Sequence, residues 1–327
     1  CNQGCFDSIF SGTPVSCILN PRAGNENVYQ VEKTEAPKKI MVAGGGPAGM
    51  EFALTAAQRG HRVTLYEKQN RLGGQILLAA APPGKEEFAK IVDSMKARMS
   101  LSGVDVKLNV ELKPALVKED KPDVLVVASG ARPTALQVQG VESSHVVDAW
   151  DVLSEKVWEF GRNVVVVGGN ATGCETALFI ASMGAPDAET FTFLQFHEAE
   201  APDVFASLLH DKGRSVTLIE MAPRLANNVG RTARWSLIKT LKLLGVHMRP
   251  GVKLLEIKAG SVIVETAGGE ESIPADTVVM AVGAASLNRF SDADIGDGIR
   301  VITVGDAKAP RKITEAVREG FEEALLV

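Results

Sequence analysis

Ile40-Met41-Val42-Ala43-Gly44-Gly45-Gly46-Pro47-Ala48-Gly49 is a short apolar run that passes straight into glycines at fixed spacing. Met50 to Arg59 then reads as a strong helix former closed by Gly60, and Arg62 to Tyr66 is a second apolar run ending at Glu67. Strand, Gly-rich turn, helix and strand make one βαβ unit. Each glycine has a task in such a unit. Gly44 lets the chain turn tightly off the strand, Gly46 lets backbone approach a pyrophosphate, and Gly49 lets helix and strand pack closely. Pro47 and Ala48 stand between the glycines ahead of a helix whose N-terminal N–H groups and dipole favour an anion. Glu67 can accept hydrogen bonds from ribose hydroxyls. A ligand-free turn needs neither the helix nor the terminal acid, and both are present.

Working outward, the same pattern recurs. Asn163–Val167 is an apolar run followed by Gly168-Gly169-Asn170-Ala171-Thr172-Gly173, a helix from Cys174 to about Met183, and a strand, Ser215–Ile219, ending at Glu220. An internal repeat of this kind means a second nucleotide-binding module. Its loop departs at Asn170, which replaces the middle glycine. Asn tolerates positive φ, but its side chain crowds the place of a pyrophosphate. Glu220 favours NAD over NADP, by ribose binding and phosphate repulsion. Binding of NAD(H) through Gly168, Asn170, Gly173 and Glu220 is expected, against a vestigial module that holds only ADP or nothing.

The rest of the chain fits around these units. Strands are expected at Val104–Leu108, Val124–Ala128, Ile273–Val282 and Val301–Val304, with a hairpin across 252–266 and a last helix from about Ile313. The fold class is α/β, with two Rossmann-like dinucleotide-binding domains in a glutathione-reductase-like arrangement. The expected layout is an irregular arm at 1–36, a first domain at 37–150 and 281–327, and a second at 151–280. An insertion between Gly184 and Arg214 carries His197 and His210, neither with a metal-ligand pattern, and these read as surface or hydrogen-bonded histidines. Cys174 begins a helix, which can lower a thiol pKa, but no second cysteine is near it. Core packing is the better account, and a redox dithiol is absent. Arg311 and Lys312 either neutralise phosphates or are solvated charges.

Composition narrows the function. Aromatic residues are only 5% of 327 and the net charge is −5, which argues against a base-stacking or polyanion-binding surface. No apolar run approaches the roughly 20 residues of a membrane-spanning helix. No nucleic-acid or membrane partner is expected, and a cytoplasmic protein fits. The chain begins at Cys1 in a segment that reads like the middle of a protein, so a fragment or processed chain is expected. Cys1, Cys5 and Cys17 crowd the arm. Clustered thiols without secretory context favour metal ligation, by iron–sulfur or zinc, over disulfides, with unligated thiols as the plain alternative.

With both loops and the arm described, the chain resembles the iron–sulfur flavoenzymes related to 2,4-dienoyl-CoA reductase, 2-enoate reductase and trimethylamine dehydrogenase. The resemblance rests on Cys1-Asn2-Gln3-Gly4-Cys5 through Ser16-Cys17 and Asn20-Pro21, and on Glu67-Lys68 with Arg71-Leu72-Gly73-Gly74-Gln75. It also rests on Val127-Ala128-Ser129-Gly130-Ala131, His197-Glu198-Ala199-Glu200, Gly230-Arg231-Thr232 and Gly305-Asp306-Ala307. It implies an FMN-bearing TIM barrel that is absent here, a [4Fe–4S] cluster, an FAD domain and an NAD(P)H domain. The family's cluster pattern is C-x2-C-x3-C-x11-C, and Cys1, Cys5 and Cys17 match its last three positions. By the same resemblance, Gly44, Gly46 and Gly49 cradle FAD pyrophosphate and Glu67 takes the ribose. Lys68, Arg71, Gly73, Gly74 and Gln75 line the flavin site, Ala128, Ser129 and Gly130 lie beneath it, and Asp306 meets the ribityl or phosphate region. The helix from Ile313 points its N-terminus at the flavin's pyrimidine edge. The implied activity is hydride transfer from NADH to FAD, then electron transfer through the cluster to FMN and an enoate or enoyl-CoA. A non-catalytic FAD- or ADP-binding docking module of an amine-dehydrogenase-like enzyme is the alternative.

Overall fold

The computed structural model describes residues 1–210, 213–290, 295–296 and 298–327, without the side chains of 206, 207, 209 and 210. The chain divides into two compact units: 1–80, 85–132 and 284–327 form one, and 81–84 with 133–283 form the other.

The arm carries a short helix, α1 (Phe6–Ser11), which stops at Gly12 in the left-handed region. Then come β1 (Lys39–Ala43), α2 (Pro47–Gln58), β2 (Arg62–Glu67), α3 (Ile76–Ala79), α4 (Glu87–Leu101), β3 (Asp105–Leu108), α5 (Pro114–Asp120) and β4 (Val124–Val127). After β5 (Ala131–Pro133) follow β6 (Val146–Asp148), α6 (Ala149–Leu153), β7 (Asn163–Val167), α7 (Ala171–Ser182), α8 (Ala188–Phe196) and α9 (Pro202–His210). Next are β8 (Ser215–Glu220), α10 (Arg231–Leu243), β9 (His247–Pro250), β10 (Lys253–Lys258), β11 (Ser261–Thr266), β12 (Gly269–Pro274) and β13 (Thr277–Met280). The chain closes with β14 (Ala284–Ser286), β15 (Arg300–Thr303) and α11 (Ile313–Leu325).

In the first unit a parallel sheet runs β15-β4-β1-β2-β3. Val124–Val127 is buried at every position, as a strand covered on both faces must be. One face packs against α2, α4 and α11 through Phe52, Ile91, Met95 and Ala316. The other packs against Leu112, Val117 and Phe290. In the second unit a parallel sheet runs β6-β13-β7-β8-β9. There the antiparallel strands β10-β11-β12 supply Leu254, Val262 and Val264 to one face. In both sheets the strand that feeds a Gly-rich loop, β1 or β7, is central, so each loop emerges at the carboxyl end of its sheet.

Several expectations change here. The first unit leaves the chain at Arg132, not at residue 150, because Val146–Asp148 pairs with β13 in the second sheet. Residues 1–36 belong to the first unit and are not wholly irregular. The expected strand 273–282 is broken between Pro274 and Thr277 into β12 and β13. The expected hairpin gains β12 as a third strand. Both loop helices start three residues before the sequence expectation, because the last loop residues already form the first turn.

One buried charge holds α2 to α4. Glu51 is only 2% exposed, and both its oxygens accept from Arg98, at 2.9 and 3.1 Å. Arg98→Ala leaves that carboxylate buried and unpaired. It is expected to cost about 3 kcal/mol, the low end for such a loss because Arg98 is itself partly solvated. Urea denaturation checks this: a midpoint unchanged by Arg98→Ala would contradict it, and Glu51→Leu with Arg98→Met should recover much of the loss.

Candidate functional site: two matched glycine cradles

At the end of β1, Gly44 lies at φ +117°, where only glycine is comfortable, and a Cβ there would sit 2.3 Å from the Ala128 carbonyl oxygen. A Cβ at Gly49 would sit 2.0 Å from the Gly44 carbonyl oxygen. Gly46 differs. Its backbone is extended, and a Cβ on it would meet nothing within 4 Å. It faces open space at the N-terminus of α2, whose first residue, Pro47, has no N–H to satisfy.

The remaining residues of the first unit gather around this loop. The buried Glu67 carboxylate accepts from the Gly45 N–H at 2.7 Å and the Gln69 N–H at 2.8 Å. Gly73 donates to the Gly45 carbonyl at 2.9 Å, and a Cβ on Gly74 would come 3.0 Å from the Gly46 Cα, so this turn lies against the loop. Gln75 Nε2 donates to Asp306 Oδ2 at 3.0 Å, and the Arg311 N–H donates to Asp306 Oδ1 at 3.0 Å. Ala128 is buried against Gly44, Ser129 Oγ donates to the Leu287 carbonyl, and Gly130 lies at φ +75° beside Gln75. Ile313 is half-buried at the start of α11, while Lys68 and Arg71 are exposed.

Glu319 was not among the residues expected from the sequence. Its Oε2 accepts from the Gly305 N–H at 2.9 Å and its Oε1 from Arg311 at 2.5 Å, so it fixes the Gly305-Asp306 turn from within α11. Arg311 is therefore ion-paired with Glu319, although its side chain remains exposed. The one signal was an acid among the buried positions Ala316, Val317 and Gly320.

The second unit repeats the cradle. Gly168 lies at φ +102°, with its would-be Cβ 2.4 Å from the Ala281 carbonyl oxygen, and that of Gly173 would fall 1.7 Å from the Gly168 carbonyl oxygen. Glu220 accepts from the Gly169 N–H at 2.5 Å and the Ala222 N–H at 2.7 Å. Asn170 is exposed and extended, at φ −79° and ψ −167°, so its tolerance of positive φ is not needed. The Ala171 N–H donates to Asn228 Oδ1 at 2.9 Å. Cys174 is fully buried, its Sγ donating to the Gly169 carbonyl at 3.2 Å, and burial pushes its thiol up to about 12. It is a packed thiol and stays protonated at neutral pH.

In the arm, the Ser16 N–H donates to the Gly4 carbonyl at 2.7 Å, closing the backbone between Cys5 and Cys17. Cys1 is exposed and Cys5 and Cys17 are half-buried. Among the described residues, no group of three or more His, Cys, Asp or Glu side chains could hold a metal ion. Cys1, Cys5 and Cys17 are free thiols on this arm. His197 packs its ring 4.4 Å from that of Phe193 and 5.2 Å from that of Phe196. The His210 side chain lies outside the described residues.

A strand, a glycine turn, a helix and an acid that anchors the loop therefore occur twice. The family description Pyridine nucleotide-disulphide oxidoreductase matches residues 38–297. The chain belongs to that family. It is 38% identical over 329 residues to a metal reductase of Desulforamulus reducens, covering 99% of this chain and 49% of that protein. It is 34% identical over 331 residues to an NADH oxidase of Thermoanaerobacter brockii, covering 99% of this chain and 46% of that protein. Among solved structures, that of 2-naphthoyl-CoA reductase with 2-naphthoyl-CoA is similar at a TM-score of 0.86 and 30% identity, over 100% of this chain and 46% of that one. The chain spans about half the length of the curated relatives it matches.

Membership in this oxidoreductase family implies FAD and a nicotinamide dinucleotide. The first cradle fits such a group: its middle glycine faces open space and its acid is held in place by backbone N–H groups. The second fits with one side chain, Asn170, standing where the first has hydrogen. No helix among the described residues is long and apolar enough to cross a membrane.

Burial raises the Asp306 carboxyl above its ordinary value, partly offset by the Arg311 N–H and the Gln75 amide. Asp306 therefore binds its proton more tightly folded than unfolded. The stabilisation from that proton is fully present below the ordinary carboxylate value and is lost as pH rises through the raised one. Asp306→Asn removes this slope. In urea titrations of FAD-free protein from pH 4 to 7, the wild type is expected to lose stability relative to Asp306→Asn as pH rises. Parallel curves would contradict the assignment.

Proposed function

We propose that this chain is the flavin- and nicotinamide-binding portion of a larger NADH-dependent reductase. The duplication of the glycine cradle with its anchored acid carries this proposal. When bound, FAD and NADH supply hydride transfer from nicotinamide to flavin, and the protein supplies binding and orientation. In the first unit Gly44 and Gly49 set the turn, Gly46 leaves room for the FAD pyrophosphate, and Glu67 presents its remaining lone pairs to the adenosine ribose. Gly73, Gly74, Gln75, Ala128, Ser129, Gly130 and Asp306 line the cofactor, with Pro47, Ala48, Lys68 and Arg71 at its edge. The N-terminus of α11 at Ile313 favours negative charge on the pyrimidine edge. In the second unit Gly168, Asn170, Gly173 and Glu220 receive the nicotinamide dinucleotide. Glu220 is fixed by backbone donors and disfavours a 2′-phosphate, so NADH is preferred to NADPH.

Electrons then leave for another part of the longer enzyme, by resemblance an FMN barrel that reduces an activated alkene such as an enoate or enoyl-CoA. By the same resemblance Cys1, Cys5 and Cys17 would supply three of the four thiolates of a [4Fe–4S] cluster in the longer enzyme. A second proposal, a docking module with a non-catalytic dinucleotide, draws on Asn170 alone.

An absorbance spectrum before and after anaerobic NADH separates the two. Flavin bands that bleach are expected. Bands that persist favour the docking module, and failure to take up added FAD would defeat the first proposal and leave only an ADP-binding docking module. Gly46→Asn copies the second loop into the first. The extended backbone accepts it, so the variant should fold normally by circular dichroism yet bind FAD at least about tenfold more weakly. Unchanged FAD affinity would show that the cofactor does not pass over Gly46.

A further inference from the structure

The second cradle contains a hydrogen bond that the first cannot make. α2 begins with Pro47, which has no N–H, whereas α7 begins with Ala171, whose N–H is taken by Asn228 Oδ1 at 2.9 Å. The two cradles share a frame that locates Asn228. The Gly73 and Ala226 N–H groups donate to the carbonyls of Gly45 and Gly169, at 2.9 and 2.6 Å. A Cβ on Gly45 would strike Leu72, and one on Gly169 would strike Leu225. In that frame Asn228 stands where Gln75 stands in the first unit. Gln75 reaches away to Asp306. Asn228, one methylene shorter, turns back onto the start of α7.

The first N–H groups of a helix have no partner within it, and a dinucleotide pyrophosphate bound at a Gly-rich loop takes them. In this chain a side-chain amide already holds one. Asn228 is exposed, so its release costs little beyond the bond itself. Its oxygen is neutral, and a phosphate oxygen makes the stronger charge-assisted bond to the same N–H.

We propose that Asn228 is a latch on the second dinucleotide site: its carboxamide oxygen occupies the pyrophosphate position at the start of α7, and a bound dinucleotide must displace it. This rests on reading the second loop as the nicotinamide dinucleotide site. The latch lowers the affinity of every ligand that brings a pyrophosphate, oxidised or reduced, because only the released state binds. It does not act on the adenosine end, which Glu220 receives. NAD+ and NADH therefore exchange more readily here than at an open loop of the same shape.

The test is calorimetric titration of FAD-loaded protein with NAD+, ADP and adenosine, none of which reduces the flavin. Asn228→Ala is expected to tighten NAD+ and ADP by about 3- to 10-fold, the value of one neutral hydrogen bond, and to leave adenosine unchanged. Asn228→Asp keeps the acceptor and adds a charge that holds α7 and repels phosphate, so it should weaken NAD+ and ADP. Amide exchange provides a second readout: the Ala171 N–H should be protected in the ligand-free wild type and lose protection in Asn228→Ala. Equal or weaker NAD+ binding by Asn228→Ala, where the wild type binds, would overturn the latch while leaving the site intact. If the wild type, Asn228→Ala and Asn170→Gly all fail to bind NAD+ and ADP, the dinucleotide site itself falls, and the latch with it.

Discussion

The structure depends on a contact that leaves no room for a methyl group. In each unit the last glycine of the loop lies so close to the carbonyl oxygen of the first that any side chain would collide with it, at Gly49 on Gly44 and at Gly173 on Gly168. That contact presses the start of a helix against the end of a central strand. It fixes the direction of the helix N-terminus, and so the place where an anion is welcome. The acid on the next strand is held by the loop's own backbone, through Glu67 to Gly45 and Glu220 to Gly169. The carboxylates therefore have a structural role before any ribose arrives.

The two units then diverge in what they build around the cradle. The first covers one face of its sheet with α2, α4 and α11, and α2 carries a buried carboxylate held by Arg98. The second places an antiparallel sheet against one face of its parallel sheet. Glu319 and Arg311 brace the Gly305-Asp306 turn in the first unit. The carboxyl ends of the central strands are kept alike, while the surroundings that tune them are free to differ.

This division explains what could be read from the amino acids. The cradles were legible because their constraints are local: a glycine at positive φ, a helix start and a strand-end acid lie within one βαβ unit. The boundary at Arg132 was not legible, because Val146–Asp148 joins the second sheet by pairing with β13, far along the chain. Pro274 marked the break between β12 and β13, but the apolar run from Ile273 to Val282 masked it. Glu319 and Asn228 were missed for a shared reason. Each acts on a backbone N–H that only the folded chain brings near. For the arm cysteines, spacing pointed to a ligand set, and the structure shows free thiols on a backbone closed between Gly4 and Ser16.

The glycines themselves separate the needs of the fold from those of the ligand. Gly44 and Gly49 have counterparts in Gly168 and Gly173, because in both units the backbone would clash or strain without them. Gly46 and Asn170 share an extended backbone that any residue can adopt. Nothing in the protein lies within 4 Å of a Cβ at Gly46, so the backbone does not require glycine there. What disfavours a side chain at that position is whatever occupies the space beyond it. The middle glycine is thus the ligand's residue. Its replacement by Asn170 in the second unit comes without any cost to the architecture that presents the loop.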